Sequence, residues 1–235
     1  MTIFALMARI LLLETATDTC SVALGDGLQV IARKDASAPR QHAAEITLLI
    51  DACLKEAGWQ LPELDAVALS SGPGSYTSLR VGTSVAKGIC YALDKPMIAV
   101  DTLQALALAS LQAEREEGVY FPMIDARRME VYTAPFDAQN APQGKAEAVI
   151  MEAGTFEEWH RRGIPVILSG NGAEKCRAVL PEDGVIFSAV GQCAAPMLLP
   201  LALRAFEAGA FSDTAYYSPF YLKPPNVTVS KKKLL

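Results

Sequence analysis

Residues 8–18 read ARILLLETATD: four consecutive branched apolar side chains, Ile10 to Leu13, stop at a carboxylate, Glu14, and a hydroxyl-rich loop. A run this short and this apolar reads as a buried strand with a polar loop at its end. The continuation CSVALGDGLQVIARK (20–34) supplies two further strands joined at Gly25-Asp26-Gly27, a hairpin signal. Next, Ile46, Leu49, Ile50, Cys53, Leu54 and Ala57 recur at helical spacing, with Gly58 placed to end the helix and Pro62 beyond it. The spacing predicts a helix over 41–57. AVALSS (66–71) is another buried strand, a second helix runs over 77–93 until Lys95-Pro96 interrupts it, and the strand MIAV closes this half.

After TLQALALASLQAERE (102–116), a connecting helix, the pattern begins again. VYFPMID (119–125) is a strand ending in a carboxylate, Asp125; ARRMEVYTAPF (126–136) returns beside it, and KAEAVIM (145–151) is a third strand. Thr155 is placed to cap a short helix TFEEWHRR, IPVILSG is a strand and NGAEKCRAVL a helix. Two similar α/β units of roughly 100 residues each are the simplest account. We expect domains at 1–102 and 103–235.

The bulk properties narrow the function classes. With 51% apolar residues in 235 the chain can fill a sizeable core, and no apolar run is long enough for a membrane span. MTIFALMAR has too short an apolar run for a signal-peptide core, so a cytoplasmic protein without membrane contact is expected. Five widely spaced cysteines with no CxxC pair read as reduced core thiols. The net charge of −5 leaves no basic stripe for gripping nucleic acid alone; the one basic run is Lys231 to Lys233 in the KKKLL tail, whose shortness favours disorder.

SSGPGSYTSLRVGTSVAKG (70–88) admits two readings. Its backbone amides could cradle an anion at a helix start, but the glycine-lysine-hydroxyl triplet of a P-loop is absent. Alternatively Ser78, Gly82 and Ala86, at i, i+4 and i+8, leave one helix face nearly bare for close packing against a neighbour in this chain or another. Glu14 and Asp125 likewise admit two readings: they face each other across a cleft holding a metal-bound nucleotide or water, or each caps a turn. Neither His42 nor His160 has the spaced partners of a triad or metal site, and no GxSxG elbow is present.

Taken in order, ILLLETATDTCSVAL, RQHAAEITLLIDACL, the 70–88 stretch, PMIAVDTLQALA, IDARRMEVYTA and PFYLKPP resemble the bacterial TsaB (YeaZ) family over nearly the whole chain. The resemblance implies two ribonuclease-H-like domains of the actin, sugar kinase and Hsp70 (ASKHA) class. It also implies a part in making threonylcarbamoyladenosine at position 37 of tRNAs reading codons that begin with A. The related transferase TsaD holds a metal with two histidines in a VHHxEGH-like pattern; here Thr102 and Leu106 stand at those places. The resemblance therefore implies a non-catalytic subunit that activates TsaD, with TsaE joining the assembly and tRNA held indirectly through it. The chain itself requires no cofactor, ATP or ADP belongs to the complex interface, and the isolated chain forms a homodimer.

By the same resemblance the partner interface comprises His42, Ile46, Leu49, Ile50 and Cys53 of the first helix and Ser78, Gly82, Val85, Ala86 and Ile89 of the second. Gly82→Arg is then expected to leave the chain folded and abolish partner binding. A vestigial nucleotide cleft comprises Glu14, Thr15, Thr17, Asp125, Gly170 and Gly172, where LSGNGA (168–173) resembles the adenosine-side glycine turn of the fold class. An independent ATP-binding enzyme using that cleft is the competing reading; a peptidase has no support in the residues.

Overall fold

The structure is a computed structural model that describes residues 7–181 and 183–224; the KKKLL tail lies outside the described residues. The run opening the sequence forms β1 (Arg9–Glu14), which pairs antiparallel with β2 (Ser21–Asp26), itself antiparallel to β3 (Gln29–Asp35). α1 (His42–Ala57) leads to β4 (Ala66–Ser70), parallel to β1, and α2 (Tyr76–Leu93) leads to β5 (Met97–Val100), parallel to β4. The strand order is β3-β2-β1-β4-β5.

After α3 (Thr102–Glu114) the same plan recurs. β6 (Val119–Asp125), β7 (Glu130–Thr133) and β8 (Glu147–Ile150) form the antiparallel part of the second sheet. α4 (Glu157–Arg161) precedes β9 (Val166–Ser169), and a 3-10 turn, Glu174–Ala178, precedes β10 (Val185–Phe187), both strands running parallel to β6. The order β10-β9-β6-β7-β8 is that of the first sheet, so one ribonuclease-H-like topology is present twice.

Alternation along the strands explains why both faces of each sheet are covered. Leu11 and Leu13 of β1 pack under α1 and α2 with Ile46, Cys53 and Ala86, whereas Ile10 and Leu12 face Leu198, Leu199 and Ala202. In the second sheet, Phe121 and Met123 pack with Phe156 and Cys176, while Tyr120 and Ile124 face Leu103 and Ala107 of α3. The helices end where the sequence signals it: Gly58, at φ +68°, closes α1, and the Asp101 side chain accepts from Gln104 N at 2.8 Å to start α3.

The structure corrects the expected division after residue 102. α5 (Leu199–Glu207) and the 3-10 turn before it cover the far face of the first sheet, so this late segment completes the first core. The approach is close: a Cβ on Gly25 of β2 would collide with Leu199. The segment continues along the first unit, with Ser212 bridging Met97 and Phe220 N donating to Ser71 O at 2.7 Å.

Two smaller expectations also change. Thr155 does not cap α4; its hydroxyl is held by Glu152, bonding both N (2.9 Å) and O (2.8 Å), and Phe156 takes the cap position. The expected helix over 171–180 is the five-residue 3-10 turn, followed by the three-residue strand β10 that periodicity did not reveal. No described helix is long and apolar enough to cross a membrane.

Candidate functional site

Several polar groups of the glycine-rich loop between β4 and α2 are committed to this chain. Gly72 N donates to Thr102 Oγ1 at 3.0 Å, Thr102 N returns a bond to Gly72 O at 3.1 Å, and Ser75 N donates to Ala16 O at 2.7 Å. A Cβ on Gly74 would collide with the Ala16 carbonyl. The loop thus clamps the ends of β1 and β4 together and aims α2 across the sheet.

The bare face of α2 points inward. Ser78, Gly82 and Ala86 are buried, and Gly82 lies against the Thr15 side chain at the end of β1. His42 and Cys53 of α1 are also interior, 3% and 0% exposed, and burial pushes the His42 imidazole below its usual pKa. These five positions are therefore corrected from partner surface to core in the isolated chain. Only a bare helix face lets α2 sit this close to β1, which is why the sequence pattern looked like a docking surface.

A different strip of the same helices is open. Between α1 and α2 runs a groove of about 340 Å³ with a floor of Ile50 and Leu54 and walls that include Thr47, Asp51, Ser84, Val85, Gly88 and Ile89. It continues toward the helix starts as a second hollow of about 400 Å³, where Ile46, Thr47, Val81, Ser84 and Val85 meet Tyr76 and Arg80. Of the expected interface residues, half-buried Val85 and Ile89 wall this groove, Ile46 and Ile50 reach it only as buried core side chains, and Leu49 is half-buried outside its lining. Leu48 on α1 and Tyr91 on α2 stand 65% and 87% exposed. Thr47, Ser84 and Gly88 escaped the sequence reading because polar and glycine positions carry no apolar periodicity.

The two acidic strand ends are used locally. Glu14 is 1% exposed, and its Oε1 accepts from Ala16 N at 2.6 Å. Burial raises its pKa to about 7, against the lowering effect of the bonds from Ala16 and Ser70. Asp125 is exposed, accepts from Arg127 N at 2.9 Å and pairs with the Lys175 ammonium, which also donates to Glu130 O at 2.7 Å. Each carboxylate thus accepts the amide two residues onward, as a turn-capping acid does. Thr15 and Thr17 are buried beside Glu14; Gly170 and Gly172 pack against the end of β6, where Cβ atoms would crowd Met123 and Ile124.

The two positions aligned with the transferase histidines also serve packing. Thr102 is fully buried on the glycine-rich loop, and Leu106 lies against Gly170. Among the described residues no group of three His, Cys, Asp or Glu side chains is arranged to hold a metal ion.

The TsaD family model, tRNA N6-adenosine threonylcarbamoyltransferase, matches residues 34–153. The tRNA threonylcarbamoyladenosine biosynthesis protein TsaB of Escherichia coli is 31% identical over 220 residues, covering 92% of this chain and 94% of that protein. Its namesake from Bacillus subtilis is 29% identical, covering 91% and 93%. The solved structure of YeaZ from Pseudomonas aeruginosa superposes with a TM-score of 0.78 at 29% identity, covering 92% of this chain and 100% of that one. The Acidaminococcus fermentans (R)-2-hydroxyglutaryl-CoA dehydratase component A, at 10% identity and a TM-score of 0.52 over 86% of this chain and 99% of that one, shares the fold alone. Two ribonuclease-H-like units of the ASKHA class, the TsaD family match and an E. coli relative alike over almost its full length lead to one conclusion: the chain belongs to the TsaB (YeaZ) family.

Proposed function

We propose that this chain is a non-catalytic subunit of the assembly that places threonylcarbamoyl on adenosine 37 of tRNA, and that it docks a TsaD-type transferase along the α1–α2 groove. The observation that carries the reading is the groove itself: an open strip walled by half-buried Val85 and Ile89 and floored by the core side chains Ile50 and Leu54. Apolar surface left open beside a finished core is what a partner helix can bury. The use of Thr102 and Leu106 in packing supports a structural rather than catalytic role. On this reading a TsaE-type ATPase joins the assembled pair, any ATP or ADP sits at the subunit boundary, and the free chain pairs with a second copy over the same groove. The setting is the cytoplasm.

Ser84 gives a clean test because it is exposed and lines both parts of the groove. Ser84→Arg leaves the melting temperature unchanged, fills the groove, and removes calorimetrically measured binding to the transferase. Parental affinity in the variant would rule the groove out as the docking site.

A further inference from the structure

The α1–α2 groove is electrically one-sided. Early residues of both helices, Ala43 and Tyr76 among them, line one hollow, and later ones, Leu54 and Ile89, line the other. The two helices therefore run in the same direction and bring their positive ends together at the first hollow. That hollow also holds Arg80, while the one charged residue lining the other is Asp51. The remaining lining side chains are uncharged.

Arg80 stands at this end without an anion. Its guanidinium lies 5.5 Å from the centre of the Tyr76 ring and donates a long bond, 3.5 Å, to the Tyr76 hydroxyl; among the described residues it forms no ion pair. Tyr76 is held in turn by Tyr221, ring centre to ring centre 4.5 Å. The other two long cations of these helices are committed: Lys55 pairs with Asp51 at 2.6 Å, and Lys87 donates to Ala215 O at 3.3 Å. Nor does this chain supply an acid at the helix starts. The first turn of α2 has none, and Ser75 at its N-cap accepts from Ser78 Oγ rather than from a helix amide. Glu45, in the first turn of α1, is taken by Ser37 N and Oγ at 2.9 and 2.7 Å. An exposed cation beside two uncompensated helix ends is unfavourable by itself and becomes favourable when an anion arrives.

We propose that Arg80 selects the partner at this groove by receiving a carboxylate side chain, set beside the apolar face of the transferase helix that docks there. The inference rests on the docking reading above. A second copy laid over the groove is the poorer source of the acid, because the acid in its own lining, Asp51, is already answered by Lys55 one turn on. A cation at one end of an otherwise uncharged groove fixes the direction in which a helix lies and rejects one that brings a cation there.

The test measures binding of the full-length chain to the TsaD-type transferase by calorimetry at several salt concentrations. The parent's affinity falls as salt rises. Arg80→Gln keeps the melting temperature, since the side chain is exposed, but binds about tenfold more weakly at low salt and shows a flatter salt dependence. Arg80→Glu binds more weakly still, and replacing one acidic residue of the transferase with lysine restores its binding.

Parental affinity and salt dependence in Arg80→Gln would overturn the proposal, as would failure of every acid-to-lysine replacement to restore binding by Arg80→Glu. Weakened self-association of Arg80→Gln with transferase binding unchanged would assign the acid to a second copy and overturn it too. Ser84→Arg is measured alongside. Loss of binding in Ser84→Arg with parental binding in Arg80→Gln rejects this inference alone, whereas parental binding in Ser84→Arg rejects the docking reading and this inference with it.

Discussion

Gly82 of α2 lies against Thr15 at the end of β1 so closely that a Cβ on Gly82 would collide with Thr15 Oγ1 and come within 3.0 Å of its Cγ2. This contact joins the first strand to the second helix and makes Gly82 a structural requirement. Gly82→Arg should therefore unfold the first unit, contrary to the expectation that it spares the fold. Even Gly82→Ala should lose about 1–3 kcal/mol to overpacking despite alanine's better helix propensity. Gly88, on the same helix with nothing within 4 Å, supplies the control: Gly88→Ala should gain up to about 1 kcal/mol. Urea denaturation of the two variants measures the contrast.

Glu14 should make stability fall as pH rises through the neutral range. Its folded pKa of about 7 lies above the ordinary 4.5, so between these values the folded state holds a proton that the unfolded chain has released. The stability it contributes is full below the unfolded pKa and is lost as pH rises through the folded one. Glu14→Gln removes that dependence. At pH 8 the variant should be more stable than the parent by up to about 3 kcal/mol, and near pH 4 the two should differ little, as read from denaturation midpoints at each pH.

Late residues should control the stability of the first unit. Leu203 is 5% exposed in the cluster that covers Ile10, Leu12 and Ile98, so Leu203→Ala should cost about 2–5 kcal/mol. A fragment of residues 1–102 should lack a cooperative thermal transition, because the far face of its sheet loses Leu198, Leu199 and Ala202. A cooperative melt by the fragment would show that the first core closes without α5.

The duplicated sheet was legible because each half opens with a buried strand ending in an acid, and because α1 and α2 carry strong apolar periodicity. The return of α5 was not, since MLLPLALRAFEAGA announces an amphipathic segment but not the sheet it covers, whose strands lie between Arg9 and Val100. Periodicity also mixed inside with outside: it grouped Leu49, half-buried, with Ile46 and Cys53, which are interior. Gly82 and Gly88, six residues apart, look alike in sequence and differ only in what lies opposite, β1 for one and open space for the other.

The most direct test of the account is a drop-out reconstitution: tRNA, threonine, bicarbonate and ATP with a TsaC-type synthase, the TsaD-type transferase and the TsaE-type ATPase, scored by mass spectrometry for threonylcarbamoyladenosine. The account predicts modified nucleoside when this chain is added, and none when it is omitted or replaced by Ser84→Arg. Equal product without the chain would contradict it.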